Sequence, residues 1–335
     1  MEFSKLACLY YPTTVILIDD DPAFLKSIAF RLDPRIPYKM FTNPEEALAF
    51  LKTLKNQNKF LSHSIVSDDE DTELENKYAI QFNKIYQEVY NHNIYKEVSI
   101  VIADHAMPQM TGAELFEAIQ DLQVMKVMLT GQADEAFAVK LFNAKMINRF
   151  ILKKSDRLLA EMINNSVKEL LREYFYDLSD IVIKSLSLGR EHTCLLDPVF
   201  IKFFYDLKNK LSASSYYLLE SSGSFIFFND DANPTWLLVK TKDEMVEFAR
   251  QAEAEDASQE VIDALKNGDK IAHFNNFDEY TDAVENGHWE NHLYPAQKLN
   301  GEQEYRYAII KDLRGFPLDR KKILSFDEFL HGDKA

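Results

Sequence analysis

VILIDDDP, residues 15–22, and VSIVIADHAMPQMTG, residues 98–112, are the stretches from which the fold can be read. Each is an apolar run of strand length that stops on aspartate. Val15 to Ile18 ends in Asp19, Asp20 and Asp21, and Val98 to Ala103 ends in Asp104. Two further runs follow: VMLT (Val127 to Thr130) stops before Gly131, and RFILKK (Arg149 to Lys154) carries Lys153 at its end. Near-continuous apolar runs alternating with helical periodicity indicate a parallel sheet covered on both faces.

The helices between these runs are legible. Pro22 stands at a first helical position behind Asp21, a capping residue, and Phe24, Ile28 and Leu32 form an apolar stripe. Asn43-Pro44 opens a second helix with Ala47, Leu48 and Leu51 inward, and Thr111 to Asp121 and Ala133 to Asn143 read as two more. Such a repeat predicts a doubly wound sheet with its site at the carboxyl ends of the strands.

One segment is too long for this scheme. Asp20 to Asp104 spans 84 residues, whereas a helix, a strand, a helix and a strand with short loops need roughly 45. The surplus is placed at about residues 55–96, which hold the acidic run SDDEDTELE from Ser67 and an amphipathic stretch with Tyr78, Phe82, Ile85, Tyr86 and Val89. It reads either as a disordered tip followed by a helix lying on the domain, or as a docking surface.

After Asp156 a stripe of Leu159, Ile163, Val167, Leu170, Tyr174, Leu178, Ile181 and Val182 runs for about eight turns without Gly or Pro. Packing within the chain and a coiled-coil dimer seam account for it equally well. From Asp197-Pro198 the pattern changes: a helix over Phe200 to Lys210, strands at Tyr216 to Leu219, Ser224 to Phe228 and Trp236 to Lys240, then helices over Asp243 to Ala254 and Ser258 to Lys266. Tyr294 to Leu299 and Tyr305 to Lys311 flank Asn300-Gly301, a hairpin signal, and a last helix is expected at Asp327 to Leu330. These hairpins with helices between them predict an α+β domain on an antiparallel sheet. Its aromatics Tyr217, Phe225, Phe227, Phe228 and Trp236 read as core, and His288 and His292, four apart without a third ligand, as surface or packing residues.

The composition agrees with two domains. The chain has 335 residues, 46% of them apolar, with 38 Lys plus Arg against 54 Asp plus Glu, a net charge of −16. That balance disfavours a broad electrostatic hold on nucleic acid or an anionic membrane. The longest stretch without charge, Leu6 to Ile18, is 13 residues, too short to span a bilayer. Cys8 and Cys194 make neither a disulfide framework nor a zinc set. With no secretory signal pattern at the amino terminus, a cytoplasmic protein is expected.

The chemistry lies where the strands end. Asp19, Asp20, Asp104, Thr130 and Lys153 all stand at carboxyl ends that converge in a doubly wound sheet. Three carboxylates packed together repel and call for a cation, which a hard divalent ion such as Mg²⁺ supplies. A lysine and a threonine hydroxyl then complete a cradle for a phosphoryl group moving in line onto a carboxylate.

VILIDDDP, VIADHAMPQMTG, MLTGQAD and INRFILKK resemble the four signatures of the response-regulator receiver domain, in order and over about residues 13–175. The run from LTG to INRF is especially similar to one subgroup of receivers. The resemblance implies a flavodoxin-like five-stranded receiver. In it Asp104 is the phosphoacceptor, Asp20 a direct Mg²⁺ ligand, Asp19 a ligand through water and the carbonyl of Ala106 a further one. It makes Thr130 and Lys153 the contacts to phosphoryl oxygens and Phe150 the switch aromatic. It also implies a sensor histidine kinase or phosphotransfer protein as partner, and no activity beyond phosphorylation and dephosphorylation of the aspartate. The two-domain layout and closing SFDEFL are similar to quorum-sensing response regulators. There are departures: Lys154 stands where the subgroup has proline, so a trans bond or looser loop is expected there, and Ala106 and Gln132 offer no group that blocks or activates water.

The expected layout is a receiver over residues 1–156 with the insert at 55–96, a helical connector over 157–196 and an output domain over 197–335. A homodimer is expected on the face near Phe150, with Leu159, Ile163, Val167 and Leu170 adding apolar surface. Residues 197–335 carry 16 Lys plus Arg against 26 Asp plus Glu and no helix-turn-helix pattern, so direct DNA binding is not expected. Two other readings stand: an output domain that handles nucleotides or nucleic acid, and a haloacid-dehalogenase-type phosphatase with Asp19 as nucleophile. The second needs a late pair of acids that Ser155 to Leu171 does not show.

Overall fold

The computed structural model describes residues 4–54, 65–67, 78–131, 135–153, 156–187, 193–311 and 318–332. They divide into two compact units, one of residues 11–60, 91–178 and 328–335, the other of residues 1–10, 61–90 and 179–327. The units therefore interleave along the chain, where consecutive domains were expected. The first ten residues, most of the insert and the last turns of the long helix group with the second unit, and the carboxyl terminus with the first.

The first unit is a parallel sheet of β2 (Thr14–Ile18), β3 (Tyr38–Phe41), β6 (Val98–Asp104), β7 (Met125–Thr130) and β8 (Arg149–Leu152), in the order β3-β2-β6-β7-β8. Every residue of β6 and β7 is buried, as continuous apolar runs require. Between the strands lie α1 (Pro22–Arg31), α2 (Pro44–Lys52), α4 (Gly112–Ala118) and α5 (Glu135–Asn143). Asp21 and Asn43 cap α1 and α2 with proline behind each, and Thr111 and Glu114 form a capping box on α4. Ile16, Ile18, Val101, Ala103 and Met128 form one core with Ala47, Leu51, Leu115, Phe116, Ala138 and Leu141. The alternate residues Val15, Leu17, Ile100, Ile102, Val127 and Leu129 are buried on the other face. Both faces are covered, which places the strand ends at the switch point between β2 and β6.

The long pattern is one helix, α6 (Asp156–Ser187). Leu159, Ile163, Val167, Leu170, Tyr174, Leu178 and Val182 are all buried within the chain. The stripe is intramolecular core, so it supplies neither a coiled-coil seam nor dimer surface. Ile181 departs from it at 43% exposed.

The second unit is built on a six-stranded antiparallel sheet in the order β1-β9-β10-β11-β15-β14. Its strands are β1 (Leu9–Tyr10), β9 (Ser215–Leu218), β10 (Phe225–Phe228), β11 (Pro234–Thr241), β14 (Gln297–Asn300) and β15 (Glu304–Ile310). Tyr217, Phe225, Phe227, Phe228 and Trp236 are core, as their spacing predicts. Helices α7 (Pro198–Lys210), α8 (Lys242–Ala254), α9 (Gln259–Asn267) and α10 (Phe277–Glu285) join it, as does a short pair of β12 (Lys270–Ala272) and β13 (Leu293–Pro295). A final helix, α11, covers Phe326–Gly332. From the insert come β4 (Ile65–Ser67) paired with β5 (Tyr78–Ile80), then α3 (Phe82–Gln87), which buries Ile85. Beyond Ser67 the acidic run lies outside the described residues.

Two elements of this unit differ from expectation. The strand expected over Tyr294 to Leu299 breaks at Ala296, where the chain leaves its pairing with β12, Ala296 N–H donating to Asp269 O at 2.8 Å, and from Gln297 pairs with β15. The turn after Asn300 is three residues, Gly301 to Gln303, closed by the Asn300–Glu304 pair. Asp197 lies against it: the carboxylate that caps α7 also accepts from Glu302 N–H at 2.7 Å, and a Cβ on Gly301 would overlap it.

Candidate functional site

The acids after β2 divide three tasks by their alternating direction. Asp19 points inward and is 1% exposed, Asp20 faces solvent, and Asp21 turns to cap α1 by accepting from Ala23 and Phe24 N–H at 2.8 and 3.2 Å. Asp21 also donates its own N–H to Asp19 Oδ1 at 3.0 Å, fixing the inward carboxylate. Asp104, buried at the end of β6, completes the group, and one oxygen from each of Asp19, Asp20 and Asp104 lies within 4.8 Å of the others.

Lys153 at the end of β8 reaches this cluster. Its Nζ lies 2.7 Å from Asp19 Oδ2 and 2.9 Å from Asp104 Oδ1, and 4.5 Å over the ring of Phe24. Burial opposes its charge, but hydrogen bonds and attraction from the two aspartates outweigh this and hold the ammonium above its ordinary pKa. Burial pushes the Asp19 carboxyl up, against the pull of Lys153 and the Asp21 N–H. Thr130 is fully buried at the end of β7, and its carbonyl accepts from Lys153 N–H at 2.8 Å, so the two strand ends are tied together. Its hydroxyl donates to Gly131 O at 3.1 Å.

Three carboxylates against one ammonium leave a formal charge of −2 in a half-buried pocket. This all-oxygen donor set, with one exposed member, suits a hard divalent cation that keeps part of its water. Ala106 is exposed on the loop beyond Asp104. Phe150 is half-buried at the rim of the core formed by α2, α4 and α5, with its ring 6.4 Å from Phe142. Lys154 and Gln132 lie outside the described residues. Asp19, Asp20, Asp104 and Lys153 meet, Thr130 is tied to Lys153 through its backbone, and three further supports were not foreseen. Gly112 packs so closely that a Cβ would overlap the Asp104 carbonyl, Phe24 roofs Lys153, and Gln109 holds φ at +71° in the tight turn where Met110 N–H meets Pro108 O. Only Gly112, inside a motif, left any trace.

Elsewhere the two histidines each have other partners. His288 is exposed and meets Asp282 at 2.9 Å, and His292 lies on Phe274. Among the described residues the only group of acids, histidines and cysteines placed to hold an ion is Asp19, Asp20 and Asp104.

No family model and no curated protein matches the chain. Among solved structures it is similar to the response regulator LqsR of Legionella pneumophila, with 33% identity, 99% of this chain and 97% of that one covered, and a TM-score of 0.78. It also matches a response-regulator receiver domain protein from Clostridium thermocellum, at 17% identity, 47% and 95% coverage and a TM-score of 0.31. A CheY-like receiver domain protein from Methanospirillum hungatei JF-1 matches at 20% identity, 48% and 98% coverage and a TM-score of 0.31.

Proposed function

The chain belongs to the response-regulator family, and on that premise we propose that it accepts a phosphoryl group on Asp104 from a sensor histidine kinase or phosphotransfer protein. The observation that carries this is the Lys153 ammonium held between Asp19 and Asp104 at the ends of three strands. An Asp104 oxygen attacks the phosphorus of the donor's phosphohistidine, the N–P bond breaks as the O–P bond forms, and the imidazole leaves. Lys153 and the Thr130 hydroxyl take the phosphoryl oxygens, Lys153 exchanging a carboxylate partner for a phosphoryl one. Asp20, Asp104, the Ala106 carbonyl and, through water, Asp19 would hold Mg²⁺, which when bound offsets the charge of carboxylates and phosphoryl. Asp19 is the weaker candidate for nucleophile, since Lys153 and the Asp21 N–H engage its two oxygens.

Phosphorylation then biases Thr130 and Phe150 and alters the face formed with α5 and α6. Phe142, Leu158 and Met162 are exposed apolar residues of these helices, at 47%, 53% and 38%. They support a homodimer whose stability depends on the phosphoryl group. The output is a protein or small-ligand contact of the second unit, and the similarity of layout to quorum-sensing regulators directs it to cell-density signalling. Intact-mass measurement after acetyl phosphate and Mg²⁺ tests the reading: one phosphoryl on the native chain, none on Asp104→Asn. A fully labelled variant contradicts it.

A further inference from the structure

His105 follows the acceptor directly and carries a ring nitrogen, Nδ1, that is buried without a hydrogen-bond partner among the described residues. Its backbone is fixed on both sides, N–H donating to Leu129 O at 2.9 Å and C=O accepting from Gly112 N–H at 3.1 Å. The ring lies against Phe137 of α5, with centroids 5.1 Å apart and planes at 38°. Phe137 is itself 41% exposed, and His105 is half-buried. A buried polar atom without a partner raises the energy of the arrangement that contains it, and such groups call for a functional reason.

We propose that His105 is a positioning residue that biases the switch. In the resting arrangement Nδ1 is unmet and the ring packs against Phe137. When phosphorylation of Asp104 shifts α5, Phe137 moves and water reaches Nδ1, so the phosphorylated arrangement gains a hydrogen bond that the resting one lacks. This rests on Asp104 being the acceptor. The same histidine joins the acceptor strand to α5 by a route separate from Thr130 and Phe150.

The test uses the full chain as native protein, His105→Phe, which keeps an aromatic ring against Phe137 without the nitrogen, and His105→Leu as a second apolar variant. Each is titrated with beryllofluoride and Mg²⁺, a phosphoryl mimic, while amide hydrogen exchange is followed over residues 135–143. Each is also melted without metal. Losing the unmet nitrogen stabilises the resting arrangement. Both variants should therefore melt higher, and need roughly tenfold more beryllofluoride for half-effect, the worth of about one hydrogen bond. An unchanged or lower half-effect concentration overturns the proposal, whatever the melting temperature. A native chain that does not respond to beryllofluoride overturns the acceptor reading, and this proposal with it.

Discussion

Gly112 leaves no space for a methyl group, because the Asp104 carbonyl occupies it. Gly112→Ala must push the acceptor strand end away from α4, at a cost of about 1–3 kcal/mol, and should lower acetyl-phosphate labelling of Asp104 along with the denaturation midpoint. Labelling and stability equal to the native chain would show that the contact yields freely. A second prediction concerns the buried pair in the other unit, where Lys240 Nζ meets Glu220 Oε2 at 2.8 Å and Glu220 lies near His273. Burial, aided by Lys240 and opposed by Glu220, lowers His273 to about 4 from 6.5. The unfolded chain then takes up a proton as pH falls below 6.5 while the folded chain does not, so stability is full above 6.5 and declines towards pH 4. The loss is roughly 3 kcal/mol. Burial works against the charge of Glu220, but Lys240 and the neighbouring donors hold its pKa below the ordinary value, so its contribution is lost further down in pH. Urea unfolding followed by tryptophan fluorescence should show this decline, and His273→Gln should flatten it between pH 6.5 and 4. Identical slopes in the two proteins would contradict the assignment.

Among the elements, α6 separates what sequence can and cannot decide. Its spacing of three and four fixes a helix and an apolar stripe, yet a stripe does not state whether its cover belongs to the same chain. Burial of Leu159 and Ile163 in a single chain answers that. Ile163→Ala should thus cost about 2–5 kcal/mol in chemical denaturation and leave the light-scattering mass unchanged. Loss of a dimer with little change in unfolding would revive the seam. Four of the five parallel strands and the helices behind Asp21, Asn43 and Thr111 were legible because each signal is local: an apolar run, then Asp-Pro, Asn-Pro or a Thr-Glu capping box, whereas β3, largely exposed, offers no apolar run. Elements that depend on distant partners were not. β1 is two residues that become a strand only by pairing with β9, and the break at Ala296 follows from β13 pairing with β12. Helix α10 carries Phe277, Tyr280 and Val284 at helical spacing but is only nine residues long and buries only Ala283, and it was not foreseen.

At the scale of the whole chain, the acidic balance bears on partners. Residues 197–335 hold 16 basic against 26 acidic side chains, and the one dense basic run is already engaged: Arg320 donates to Asn233 at 2.7 Å and Lys322 lies 3.3 Å from Asp319. A DNA reader needs several free cations on one face. Fluorescence anisotropy of the phosphorylated protein with mixed genomic fragments should therefore show no tight binding at physiological salt, and binding that persists there would turn the output towards nucleic acid. The interleaving of the units was invisible in sequence, because composition marks where an insert begins and not which core its Ile85 and Val89 join. The site was more legible than its surroundings, since its polar residues each end an apolar run. The switch and its output both depend on which carboxylate carries the phosphoryl group. Borohydride reduction of the acetyl-phosphate-treated native chain, followed by peptide mapping, converts an aspartyl phosphate to homoserine and reads its position. Homoserine is expected at residue 104 with aspartate retained at 19 and 20; homoserine at 19 with aspartate at 104 would place the phosphoryl group on the wrong carboxylate for this mechanism.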